Sequence, residues 1–277
     1  MSTLLRGAPV AERLTLDLSR RSAALRHRGV IPTLAILRVG SSPGDLAYEK
    51  SAAARCARCG VEVRRLFWDS AAPLPDAIRA VNADPSIHGC LLLRPLADRA
   101  AEAAAGQLLL PDKDVDGMTP GSLAGLLTGQ SGFAPCTAQA CLELLDYYEV
   151  PLAGRRAVVV GRSLVVGQPA ALLLQRRNAT VTVCHTGTRD IPALCREADV
   201  LIAAAGRPGL ITPDCLRPGQ TVLDVGVHPG PDGTLCGDVA AEAAALDVAL
   251  TPVPGGVGSV TSAVLCKHTV QAAEKTL

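Results

Sequence analysis

Apolar residues fall into two alternating rhythms along this chain. Short β-branched and aliphatic runs at residues 33–39, 61–67 and 88–93 predict buried strands, and residues 10–28, 46–59 and 74–82 carry apolar side chains at helical spacing. This β-α-β-α-β succession predicts a parallel sheet with right-handed crossovers. Residues 108–133 are rich in Gly, Asp and Ser and read as the least regular stretch. A helix over 137–148 then leads into a second series of strands at 157–160, 180–183, 200–204, 221–225 and 248–250. A closing helix over 260–275 can cross back to the first series. The pattern predicts two α/β units joined near residue 135 rather than one long sheet.

One junction carries more than fold. The strand at 157–160 stops at Gly161, and Gly167 opens a helical stretch over 168–175. A strand, a glycine turn and a helix N-terminus form the geometry in which free backbone N–H groups meet a dinucleotide pyrophosphate. The glycine spacing is not G-x-G-x-x-G, so the polar pair inside the turn carries the argument. Arg162 offers a fixed positive fork and Ser163 a hydroxyl to a phosphate. The alternative is an ordinary βα turn with a surface arginine.

Composition narrows the class. At 277 residues, 48% hydrophobic and 19% charged, the chain is globular, and its net charge of +1 gathers neither nucleic acid nor anionic membrane. Aromatic residues make up 2%, which leaves no surface for stacking bases. No apolar run approaches the ~18–20 residues a membrane span needs. Residues 1–13 hold arginines but no continuous apolar core, so no signal peptide is expected and a cytoplasmic location is the default. The ten cysteines are scattered, and Cys56-Ala-Arg-Cys59 has no second pair or histidine at zinc-ligand spacing, so reduced, packed thiols are expected. No metal is expected either: Asp114 and Asp116 in a glycine-containing loop read as turn formers, and His27, His88, His228 and His268 as structural.

Four motifs then come into view: Pro111-Asp-Lys-Asp-Val-Asp-Gly117, Pro135-Cys-Thr137, Gly161-Arg-Ser-Leu-Val-Val-Gly-Gln-Pro169 and Thr251-Pro-Val-Pro-Gly-Gly-Val-Gly258. The last, with its prolines and glycines at a strand end, fixes a tight backbone platform close to a ligand. In these motifs the chain resembles the FolD family, the methylenetetrahydrofolate dehydrogenase/cyclohydrolases, over nearly its full length. The resemblance implies two α/β domains flanking a cleft. A folate-binding catalytic domain over residues 1–135 is rejoined by the helix 260–277, and residues 136–259 form a Rossmann-like NADP-binding domain. It implies Tyr48 as a wall stacking on the folate and Asp116 as the carboxylate holding the pterin, with Pro254, Gly255 and Gly256 completing the substrate site. Gly161, Arg162, Ser163, Gly167, His185, Thr186 and Val227 are the implied cofactor contacts. A tetrahydrofolate derivative is the implied substrate, and a homodimer joined through the cofactor domain is expected.

Three positions depart from the family pattern. The lysine of its Tyr-x-x-x-Lys is Ala52, the glutamine of its Gln-Leu-Pro-Leu-Pro is Leu93, and the Ala-Ser before the tyrosine reads Gly44-Asp45. Lys50 sits about 200° around the helix from Tyr48, and Arg55 returns to that face roughly 10 Å further along. Hydride transfer from a methylene carbon needs orientation, assisted by the neighbouring nitrogen lone pair, and no protein acid or base. Hydrolysis of the methenyl product does need proton transfer, which a lysine polarised by a glutamine suits. The expectation is therefore a dehydrogenase with weak or absent cyclohydrolase activity. Two alternatives stay open: a bifunctional enzyme with Lys50 displaced inward, and a non-catalytic folate- or nucleotide-binding protein. In the resemblance Arg162 and Ser163 match residues that hold the 2′-phosphate of NADP, with His185 and Thr186 completing the pocket. A capping or surface role is the alternative for His185. No acidic residue directly follows the second strand of this unit, where NAD-specific sites often place one, so NADP is favoured.

Overall fold

A computed structural model describes residues 2–230 and 233–277. The chain opens with β1 (Thr3–Leu4) and α1 (Gly7–His27) and then alternates through β2 (Thr33–Val39), α2 (Pro43–Cys59), β3 (Glu62–Trp68), α3 (Leu74–Ala83) and β4 (Gly89–Leu92). The helices α4 (Arg99–Leu108), α5 (Pro120–Thr128) and α6 (Cys136–Tyr147) follow. The second series is β5 (Arg156–Val160), α7 (Gly167–Arg176), β6 (Thr180–Cys184), α8 (Ile191–Glu197), β7 (Val200–Ala203) and β8 (Thr221–Asp224). It closes with β9 (His228–Pro229), β10 (Leu235–Cys236), β11 (Ala249–Leu250) and α9 (Gly258–Glu274). Among the described residues no helix is long and apolar enough to cross a membrane.

The chain divides into two compact units. The first comprises Glu12–Cys136 and Ser262–Leu277, and holds a three-stranded parallel sheet in the order β3-β2-β4. Leu34, Ala35, Ile36 and Leu37 of the central strand are all buried, which is why that strand reads as a continuous apolar run. α3 packs Leu74, Ile78 and Val81 into a core with Leu37, Leu92 and Leu96. α2 begins where Ser42 accepts from the Asp45 N–H at 3.1 Å with Pro43 in its first turn, and it ends at Gly60. The stretch expected to be irregular contains α5, started by Thr119 accepting from the Ser122 N–H at 3.0 Å and closed by Gly129. Asp114 is the turn former expected of it: fully buried, it accepts from the N–H groups of Met118 and Thr119 at 3.0 and 2.7 Å.

The second unit comprises the chain up to Ala11 together with Thr137–Thr261. Its six-stranded sheet runs β1-β11-β8-β7-β5-β6, every adjacent pair parallel, and β9 and β10 form a separate antiparallel pair. Sequence analysis expects residues 1–135 all in the first domain; in the structure the chain up to Ala11 groups with the second unit. Thr3 and Leu4 pair with Ala249 and Leu250, which assigns the N-terminus to this second sheet. A two-residue strand shows no periodicity, so the pattern of apolar positions missed it. All ten cysteines are free thiols, nine of them buried.

Candidate functional site

In the first unit the loop after β4 and the Lys113–Gly117 turn bring Arg94 and Asp116 together. Arg94 Nη2 lies 3.4 Å from Asp116 Oδ2, and its Nη1 lies 4.0 Å from Glu102 Oε1 on α4. Glu102 is itself anchored by the Leu96 N–H at 2.8 Å. Desolvation pushes the Asp116 carboxyl up to about 6, with Asp114 adding to the rise while the Arg94 guanidinium opposes it. Tyr48 on α2 is 38% exposed, and its phenol is pushed above its ordinary range by desolvation and then by the Asp116 charge. Tyr48 and Asp116, chosen from sequence, thus share one electrostatic environment. Arg94 was not singled out from sequence.

α2 runs unbroken past the positions where the family pattern departs. Ala52 is buried and Lys50 is exposed, as the helical register requires. Arg55 is engaged elsewhere, donating to Thr15 Oγ1 at 3.0 Å, and Leu93 is buried. Two apolar side chains therefore stand where the family reading asks for a lysine and a glutamine.

In the second unit a cavity of about 320 Å³ opens at the end of β5, lined by Gly161, Arg162, Ser163, His185, Thr186 and Arg207. Five of these are residues named from sequence, and Arg207 is an addition. The turn is packed so closely that side chains have no room. A Cβ on Gly161, whose φ is 125°, would lie 2.0 Å from the Ala204 carbonyl oxygen. One on Gly167 would lie 2.1 Å from the Gly161 carbonyl oxygen. The N–H groups expected to be free at the start of α7 are engaged within the chain: Ser163 Oγ accepts from Val166 and Gly167 at 3.2 and 3.4 Å, and the Ser163 carbonyl accepts from Gln168 at 3.0 Å. Pro169 has no N–H to offer. Ser163 therefore caps the helix with its oxygen lone pairs, keeping only its O–H to donate. His185 Nδ1 accepts from the Gly187 N–H at 3.1 Å, so His185 shapes its turn as well as lining the cavity.

The opposite side of this pocket is set by a residue that sequence reading passed over. Asp238 is fully buried and accepts from the N–H groups of Ala205, Gly206 and Arg207 at 2.6, 2.9 and 2.9 Å. His228 Nε2 stands 2.7 Å from its Oδ1. Asp224 lies behind it, accepting from the N–H groups of Gly226, Asp238 and Val239, and burial pushes its carboxyl up to about 6 against those bonds.

A second cavity of about 320 Å³ in this unit is lined by Asp224, Val227, Pro254, Gly255 and Gly256 among others. Val227, expected among the cofactor contacts, lines this cavity and not the one around Arg162. The Gly255 carbonyl accepts from the Gly7 N–H at 2.8 Å, which ties the glycine platform to the start of α1.

Comparison with known proteins gives the arrangement its relatives. Residues 5–116 match the model of the tetrahydrofolate dehydrogenase/cyclohydrolase catalytic domain, and residues 135–277 that of the tetrahydrofolate dehydrogenase/cyclohydrolase NAD(P)-binding domain. The bifunctional protein FolD of Carboxydothermus hydrogenoformans is 46% identical, covering 99% of this chain and 98% of its own. The crystal structure of the bifunctional FolD methylenetetrahydrofolate dehydrogenase/cyclohydrolase from Campylobacter jejuni superposes with a TM-score of 0.93 at 36% identity, covering 100% of both chains. The Trypanosoma brucei enzyme complexed with NADP and an inhibitor has a TM-score of 0.90 at 31% identity, covering 99% of this chain and 98% of that one.

Proposed function

The chain belongs to the tetrahydrofolate dehydrogenase/cyclohydrolase family, and we propose that it is an NADP-dependent 5,10-methylenetetrahydrofolate dehydrogenase whose cyclohydrolase step is weak or absent. The observation that carries the second half is the burial of Ala52 and Leu93 in the unit that holds Tyr48 and Asp116. Neither side chain can hold or pass a proton, and Lys50 points to solvent.

We assign folate binding in the first unit to Tyr48 and Asp116. Asp116, when ionised, accepts hydrogen bonds from the amino and ring N–H groups of a pterin. Tyr48 offers a partly exposed ring to stack on. In the second unit, Pro254, Gly255 and Gly256 are assigned as a rigid backbone wall for the substrate. The residues around the Arg162 cavity suit a nucleotide carrying an extra phosphate. Arg162 and Arg207 supply guanidinium groups, Ser163 and Thr186 supply hydroxyls, and no carboxylate lines the cavity among the described residues. When bound there, NADP would supply the hydride acceptor for the substrate methylene. The residues of this chain hold and orient the two ligands and exclude water, with no acid or base required of them. We also assign a homodimer, which a light-scattering mass near the chain's 28.5 kDa would refute.

A two-wavelength assay tests this reading by following NADPH formation separately from methenyltetrahydrofolate consumption. NADPH should form with NADP, while methenyl consumption stays at the rate of buffer alone. Absence of turnover with either NADP or NAD would overturn the dehydrogenase assignment. Enzymatic hydrolysis abolished by Lys50→Ala would overturn the loss of the second step.

A further inference from the structure

Arg94 occupies an unusual position for a guanidinium. It lies two residues beyond the end of β4, is only 21% exposed in its side chain, and reaches two carboxylates from different elements, Asp116 and Glu102. Its Nε is buried and has no hydrogen-bond partner among the described residues. The contact with Asp116 is a single long one, 3.4 Å from Nη2 to Oδ2, so the carboxylate keeps acceptor capacity for another partner. A purely structural Arg–Asp pair would be expected to form the two-pronged contact that the planar fork allows.

We propose that Arg94 is a positioning residue of the folate pocket: it holds Asp116 ionised and turned so that its remaining lone pairs meet the N–H donors of the pterin. The inference rests on the assignment of Asp116 as the pterin carboxylate. The charges around Asp116 leave this part to Arg94. Tyr48 on α2 and Cys136 at the start of α6 are both pushed up and stay neutral near pH 7, and Asp114 on the same loop adds a negative charge. Glu102 on α4 faces Arg94 from the other side. Among the described residues Arg94 supplies the opposing positive charge. The Asp116 carboxyl already lies near 6 with the guanidinium in place. Without it the carboxyl would rise further, and the ionised form needed for binding would be lost at a higher pH as pH falls.

The test is tetrahydrofolate binding to the full-length protein by calorimetry between about pH 5 and pH 9, with NADP binding measured alongside. Removing an adjacent guanidinium raises a carboxyl by ~1–3 units. Taking the lower part of that range, Arg94→Met should weaken tetrahydrofolate binding ~5- to 50-fold at pH 6, converging on the unmodified protein near pH 9. NADP binding should stay unchanged, and Arg94→Lys should move the acid limb part of the way back. Asp116→Asn should bind weakly at every pH, with the acid limb gone. If Asp116→Asn binds tetrahydrofolate as well as the unmodified protein, the assignment of Asp116 itself fails. If Asp116→Asn loses binding but Arg94→Met keeps the original pH profile, the role given to Arg94 fails alone. Should Arg94→Met not fold, Arg94→Gln and Arg94→Lys decide: equal acid limbs in the two would overturn the proposal.

Discussion

Asp238→Asn is the substitution whose outcome the geometry constrains most tightly. The carboxylate accepts four hydrogen bonds, two on each oxygen: Ala205 and Gly206 on Oδ2, Arg207 and His228 on Oδ1. An amide of the same shape must turn its NH₂ toward one of these pairs. Toward Oδ2 it would confront two backbone donors. Toward Oδ1 it confronts one, because His228 can change tautomer and accept. The cheaper orientation therefore sacrifices the Arg207 bond, worth ~1.5–3 kcal/mol to a charged acceptor, and weakens the others to neutral strength. The lost Arg207 bond alone sets a cost of at least about 1.5–3 kcal/mol, or a fall of at least roughly 5–12 °C in the unfolding of the second unit. Asp238→Ala strips all four partners and should cost about 3–5 kcal/mol. Because residues 205 and 207 line the Arg162 cavity, NADP affinity should fall at least ~10-fold, while tetrahydrofolate binding to the first unit is preserved. Thermal unfolding followed by near-UV circular dichroism, with calorimetric titration of NADP, measures both. An Asn variant that melts with the unmodified protein and binds NADP equally well would show that this network does not hold the loop.

Three further outcomes follow from the same structure. The double change Ala52→Lys with Leu93→Gln should raise methenyltetrahydrofolate hydrolysis above the buffer rate, since a placed proton-transfer group is worth ~10²–10⁴-fold; unchanged hydrolysis in a folded double variant would count against the argument. Asp116→Asn should stabilise the ligand-free protein above pH 7 while losing folate binding. The folded carboxyl near 6 lies above its unfolded value, so charging it opposes folding: the cost enters as pH rises through the unfolded value and is complete above about 6. Allowing for partial exposure, the gain should be about 1–2 kcal/mol at pH 8 and absent at pH 3, and urea unfolding at the two values decides it. Gly161→Ala places a Cβ 2.0 Å from a backbone oxygen at a φ of 125°, so NADP affinity should drop at least ~10-fold with melting lowered; an NADP dissociation constant within twofold of normal would argue that the turn is not held as described.

Much of this architecture was legible in the apolar pattern because the central strands of both parallel sheets are buried. β2, β5 and β7 each contain a continuous apolar run of at least four residues, and such strands stand out from their surroundings. The apolar pattern does not reveal α4, where alanine and glycine dominate and blur the helical face, or α5, which is only nine residues long and holds two glycines. Their caps at Asp98 and Thr119 were nonetheless present in the sequence as signals. The same contrast holds for the pockets. Gly161, Arg162, Ser163, His185 and Thr186 sit within one stretch of chain and converge on one cavity. The direction of the Ser163 oxygen, turned into the start of α7, depends on local geometry that its identity does not specify. Asp238 and Arg94 are not legible for a different reason: each matters through partners 10–33 and 8–22 residues away, brought near only by the folded backbone.

The split membership of the two chain ends bears on how the protein is made. Thr269 in α9 joins Val115 in crowding the position of Gly89, Cys266 lies 3.6 Å from Cys56, and His268 contacts the Val115 carbonyl at 2.9 Å. These contacts join positions 153–210 residues apart within the same unit. A nascent chain that has left the ribosome through residue 136 therefore still lacks part of its first core, and must wait for the last helix to be synthesised. The six-stranded sheet waits as well, holding an N-terminal strand whose partner, β11, arrives some 245 residues later. Neither unit is a segment that a single cut can release. The order of synthesis is thus not the order of completion, and the final helix is the step that closes the first unit.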